Sequence, residues 1–142
     1  MSAEVLALTL RAEAGSRSVR AIEALAALVV NRARLAAEAP ALRARFAPNL
    51  RVGATWVGLV AEACRVPVLF RCWQPGRLRA EAPADPAMEV CRRIAARALG
   101  GALPDPTAGA THWHDGASLP GWAIGQVPTA EIGGLIFYRL PG

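Results

Sequence analysis

Residues Thr111-His112-Trp113-His114-Asp115 gather both histidines of the chain, one of its four tryptophans and a carboxylate into five positions. Imidazole is the side chain whose charge changes near neutral pH, so it moves protons, exchanges hydrogen bonds or ligates a metal. The surrounding run, Pro104 to Gly116, opens on turn formers and passes into a strand pattern. In a strand alternate side chains share a face, which places His112 and His114 on one side and Thr111 and Trp113 on the other. Such a pair suits a zinc site completed by a Cys, Asp or Glu from elsewhere. It equally suits two hydrogen-bonding groups on the wall of a polar groove.

Glu13 stands at the end of an apolar helical stretch, beside Gly15. A carboxylate there faces the negative end of the helix dipole, and adjoining apolar surface also penalises its ionised form. Both effects favour the protonated state that a general acid needs, although an ordinary solvated glutamate fits the same position. The third feature is aromatic. Phe70, Trp73, Trp113, Trp122 and Tyr138 come from separate segments and carry faces that stack on sugar rings, on bases or on each other in a core.

The elements that must position these groups are mainly helical. Ala3 to Ala14 is an apolar helix stopped by Gly15. Ser18 caps a longer helix reaching about Ala39, with Val19, Ile22, Ala26, Val29, Val30 and Ala33 on one stripe, and Pro40 ends it. Ala41 to Ala54 reads as a loop, and Thr55 to Cys64 as a shorter helix. Val66 to Pro83 is irregular. Asp85 and Pro86 open a last helix that runs to Gly100. Two strands follow, Thr107 to His114 and Ile132 to Arg139, expected to pair with each other. The fold class is therefore α+β, mainly helical, with a small antiparallel sheet.

A chain of 142 residues with 54% hydrophobic content forms a single domain with a real core, here residues 1–142. The net charge of +5 rests entirely on arginine, since there is no lysine. Those arginines are scattered and accompany no basic helix or RNA-binding signature, so no nucleic-acid partner is expected. No apolar run reaches the length of a membrane span. Cys64, Cys72 and Cys91 lack zinc-ligand spacing and read as buried thiols, with one disulfide open to them in an oxidising compartment. No basic region precedes the first apolar stretch, so no signal peptide is expected.

In order along the chain stand Glu13-Ala14-Gly15, Asn31-Arg32, Phe70 with Cys72-Trp73, Asp105 to His114, and Ile132-Gly133 to Phe137-Tyr138-Arg139. This sequence of motifs resembles the SleB-type cell wall hydrolases, the spore cortex-lytic enzyme family. The resemblance spans residues 3 to 139, and its specific part lies in the DPTAGATH and IGGLIFYR blocks. It implies a lysozyme-like fold and cleavage of peptidoglycan glycan strands between N-acetylmuramic acid and N-acetylglucosamine. It places the catalytic acid on Glu13 and implies a substrate groove lined by the Phe70–Trp73 segment and the strand carrying Thr111, His112, Trp113 and His114. Trp122 and Tyr138 join that list as aromatic neighbours. The chain departs from the family at Arg17, where a second Glu is usual, at Ala21, Ile22 and Leu135, and in the long Ala41–Ala54 stretch.

Glycosidic cleavage by hydrolysis employs two carboxylates. Beyond Glu13 the candidates are Glu23, Asp105 and Asp115, none with a spacing that commits it. One acid without a clear partner fits a lytic transglycosylase, in which the sugar's own 6-hydroxyl attacks C1 and a 1,6-anhydro product leaves. The alternatives are a non-catalytic peptidoglycan-binding module and a zinc-dependent amidase or peptidase using His112 and His114. The favoured reading expects a monomer without cofactor or metal, whose partner is the peptidoglycan glycan strand. Its place of action is the bacterial cell wall, reached from the cytoplasm by lysis or an unknown export route.

Overall fold

A computed structural model describes residues 2–66, 70–74 and 85–140. Most of the Val66–Pro83 stretch lies outside the described residues. Five helices carry the core: α1 (Ser2–Ala14), α2 (Val19–Glu38), α3 (Pro40–Phe46), α4 (Trp56–Cys64) and α5 (Pro86–Leu99). Helix α2 is the central one. Ala21, Ile22, Leu25, Leu28, Val29, Arg32 and Ala36 are all buried on it, and α1, α3, α4 and α5 pack around it. Ala24, Ala26, Ala27 and Ala33 are buried on it as well, and such small side chains let the neighbouring helices approach closely.

The starts of three helices follow local chemistry. Ser18 Oγ accepts the N–H of Ala21, Thr55 Oγ1 that of Gly58, and Asp85 a carboxylate bond from Met88 N at 2.7 Å. Each satisfies a donor that the first turn leaves unpaired. Pro40 does more than stop α2. It occupies the first turn of α3, where its missing N–H costs nothing, so the expected Ala41–Ala54 loop is helical up to Phe46. Phe46 is fully buried, which gives that short helix its anchor.

The sheet has three strands, β1 (His112–Asp115), β2 (Ala130–Ile132) and β3 (Leu135–Tyr138), in the order β1-β3-β2 and antiparallel throughout. His112 pairs with Tyr138 and His114 with Ile136. Two strand expectations change. Ile132–Arg139 is interrupted at Gly133 and Gly134, both at positive φ, which fold it into the β2–β3 hairpin. A Cβ at Gly133 would lie 2.6 Å from the Cβ of Ala21, so the turn needs glycine to sit against the start of α2.

Thr107–Ala110 is a turn rather than the first half of a strand. Asp105 Oδ1 accepts Thr107 N–H and the Thr107 hydroxyl at 2.8 and 2.5 Å, while Oδ2 accepts Gly109 N–H at 2.9 Å. Asn31 on α2 donates to Asp105 Oδ2 and to Ala110 O. Partial burial of Asp105 raises its pKa, but the bonds from Thr107, Asn31 and Gly109 outweigh this and hold it below the usual range. The turn fixes where β1 begins, and so which way its histidines point.

Candidate active site

One cleft of about 750 Å³ takes its walls from four regions of the chain. Glu13 enters from the end of α1, Arg32 from α2, Arg71 and Gln74 from the short 3-10 turn after Phe70, and His112 to Asp115 from β1. Ser118, Pro120 and Trp122 close the rim. A second hollow of about 730 Å³, lined by Asn31, Arg34, Glu38, Thr111 and Arg139, contains neither Glu13 nor a histidine.

Glu13 is half-buried, and its Oε1 accepts the backbone N–H of Cys72 at 3.0 Å. This bond holds one carboxylate oxygen and fixes the side chain at the cleft wall. The Cys72 thiol is pushed well up by burial and by the neighbouring Glu13 carboxylate. Burial likewise raises Cys64 to about 12 and Cys91 to about 11. The three cysteines are free, buried and protonated, which suits small hydrophobes and not nucleophiles.

The two histidines differ in a way their spacing does not reveal. His114 Nδ1 lies 2.8 Å from the carbonyl of Asp115, an acceptor only, so this nitrogen carries hydrogen. In the neutral ring Nε2 is then the acceptor, and the Tyr138 hydroxyl sits 2.8 Å from it. Both nitrogens are thereby committed within the protein. His112 Nδ1 shares a 2.8 Å contact with the Thr111 hydroxyl. Burial, reinforced by the charges of Arg32 and Arg45, lowers the pKa of His112 to about 4, so it is neutral at pH 7. Trp122 covers both rings, with centroids 5.6 Å from His112 and 5.7 Å from His114.

Asp115 is the second carboxylate of the cleft, and it is occupied. Its Oδ1 accepts Ala117 N–H at 2.8 Å and its Oδ2 pairs with Arg17, which also donates to Gly133 O. The Ala117 bond first, and the Arg17 charge with it, hold Asp115 ionised below the usual range. Arg17, the departure noted in the sequence, therefore ties α1 and α2's junction to the sheet.

The cleft brings together Glu13, His112, Trp113, His114 and Trp122. Tyr138 is buried behind His114 and acts through its hydroxyl. Thr111 is buried too, with its hydroxyl between His112 and the backbone of Leu140. Phe70 is fully buried against the Arg32 guanidinium, so it supports the floor and offers no face to a sugar. Trp73 stands apart from the cleft lining, half-buried, with Nε1 donating to Thr9 Oγ1 at 2.8 Å. Arg32 was missed as a candidate. Its signal was an arginine one helical turn from Leu28 and Val29, on the stripe that α2 buries.

The fold is a small, mainly helical domain with a cleft between its helices and the face of its three-stranded sheet. The model of the cell wall hydrolase family matches residues 17–138, and the chain belongs to that family of peptidoglycan-cleaving enzymes. The matched stretch begins four positions after Glu13. Among solved structures the fold is similar to the catalytic domain of Bacillus cereus SleB, at TM-score 0.68 and 20% identity over 97% of this chain and 89% of that one. It is equally similar to the catalytic domain of the germination-specific lytic transglycosylase SleB from Bacillus anthracis, at TM-score 0.68 and 19% identity over 97% and 93%. A comparison with curated protein sequences gives no match.

Proposed function

We propose that the chain cuts peptidoglycan glycan strands between N-acetylmuramic acid and N-acetylglucosamine, as a lytic transglycosylase with Glu13 as its single acid and base. The observation that carries this reading is the unequal state of the two cleft carboxylates. Asp115 has both oxygens engaged, one by a cation, which makes it a poor nucleophile. Glu13, among the described residues, pairs with no cation: its neighbours are the Cys72 N–H on Oε1 and the neutral Cys72 thiol. One free carboxyl group protonates the leaving oxygen in the first step. The carboxylate so formed then removes the proton from the muramoyl 6-hydroxyl as that oxygen attacks C1.

The rest of the cleft binds and orients. Neutral His112 supplies a hydrogen-bonding nitrogen to sugar hydroxyls, His114 is held in the cleft wall by Tyr138, and Trp122 supplies an exposed ring for the apolar face of a pyranose. The Bacillus anthracis relative is itself named a lytic transglycosylase, which agrees with this choice. Mass spectrometry of fragments released from purified sacculi tests it. Anhydro-muramoyl ends are expected; reducing ends would replace the transglycosylase with a hydrolase.

Arg17 motivates a second reading, a peptidoglycan-binding module without catalysis. Sacculus binding without release of fragments would favour it. The zinc amidase reading has less support, because the hydrogen bonds of His114 leave neither of its nitrogens for a metal, and no group of three His, Cys, Asp or Glu side chains suited to a metal occurs among the described residues.

A further inference from the structure

Arg32 places a positive charge in the floor of the cleft, where helix packing alone would be served by leucine or methionine. The residue is only 2% exposed, and it lines the cleft. Its Nε donates to Thr111 O at 2.6 Å, and the guanidinium lies 5.5 Å from the Phe46 ring centroid and 5.0 Å from that of Phe70. Among the described residues, buried Nη1 has no hydrogen-bond partner and no carboxylate pairs with this side chain. Arg45 adds like charge nearby. The Thr111 carbonyl and the two rings offset part of the cost of burying this charge, and an anion entering the cleft would offset more. Desolvation lowers the Arg32 pKa to about 9, which still leaves it charged at neutral pH.

Resting on the glycan-cleaving reading, we infer that Arg32 is a specificity-determining residue that receives a substrate carboxylate, the free lactyl carboxylate of a muramic acid whose stem peptide has been removed. With Nε committed to Thr111 and Nη1 buried, the guanidinium has Nη2 left to meet the cleft, where it can donate one charge-assisted hydrogen bond to a carboxylate oxygen. A lactyl group closed as a lactam or joined to a peptide is a neutral amide and offers one carbonyl oxygen without charge. Arg32 thus tunes the cleft toward denuded strands.

The test compares two tetrasaccharides of alternating N-acetylglucosamine and N-acetylmuramic acid, one with free lactyl carboxylates and one with the same groups as carboxamides. Binding is measured by calorimetry on the Glu13→Gln protein, so that neither ligand is cut. The carboxamide is expected to bind about tenfold more weakly, the scale of one hydrogen-bonded charge. The ratio should collapse to near one in Glu13→Gln/Arg32→Gln, with folding checked by circular dichroism. A purely structural role for Arg32 would alter stability without changing that ratio. Equal affinities for the two sugars in the Glu13→Gln protein overturn the assignment, and this arm requires no Arg32 variant to fold. Cleavage of sacculi by the unaltered protein is scored separately. Cleavage with equal affinities sinks only the Arg32 assignment, whereas a tenfold ratio without cleavage sinks the catalytic reading and keeps the carboxylate site.

Discussion

The carboxylate of Glu13 accepts the backbone N–H of Cys72 at 3.0 Å, joining the end of α1 to the turn that follows Phe70. The bond fixes one oxygen and thereby aims the other. Replacing Glu13 by Gln keeps an acceptor for Cys72 and removes the ionisable proton. Release of glycan fragments should fall by about 10³-fold, within the range for general acid–base groups. The unfolding midpoint in urea should stay near that of the parent protein. Retained release would remove Glu13 from the mechanism.

His112 gives the domain a pH-dependent stability. Its folded pKa of about 4 lies below the roughly 6.5 of an unfolded histidine, so the native state resists a proton that the unfolded chain accepts. The resulting stabilisation is full above about pH 6.5 and is lost as pH falls toward 4. Urea unfolding at pH 7.5 and pH 5 measures the loss. In His112→Phe the difference between the two pH values should shrink; an unchanged difference would contradict the assignment.

Trp122 is 41% exposed and touches the cleft mainly through the two imidazoles and Tyr138. Its replacement by Ala should cost roughly 2 kcal/mol of stability, because more than half of this large ring is buried against its aromatic neighbours. The Michaelis constant for glycan strands should rise roughly tenfold with kcat little altered, the signature of lost uniform binding. A fall in kcat at constant Michaelis constant would mean that the ring acts on the transition state instead.

Gly133 has φ +57° and leaves no room for a methyl group beside Ala21 and Ser18. Gly133→Ala should therefore destabilise the fold by roughly 2 kcal/mol, from left-handed strain and overpacking together. Thermal unfolding monitored by circular dichroism provides the check. A shift of less than a degree would show that the hairpin moves away from α2 at little cost.

Much of this arrangement is legible along the chain. Ser18, Thr55 and Asp85 begin helices because a short polar side chain reaches the first free N–H groups, a rule that operates within three residues. The apolar stripe on α2 likewise declares its buried face from Ile22 onward, although Val19, counted on that stripe, is half exposed at the start of the helix. Harder to see were Phe46 and the hairpin. A seven-residue helix is too short for periodicity to mark, and a turn of Gly133 and Gly134 hides inside a run of strand formers.

The sequence by itself determined the helical frame, the strand that carries both histidines and the candidacy of Glu13, since each depends on neighbours within a turn or two. Tertiary structure decided the rest of the site. Phe70 and Trp73 lie outside the cleft surface because the core and Thr9 claim them, and His114 is committed because Tyr138 faces it across the sheet. Arg17 meets Asp115 across 98 positions, and Arg32 finds Thr111 across 79. Such contacts fix protonation, exposure and free valence. Those are properties of a side chain's surroundings, which only the packed chain supplies.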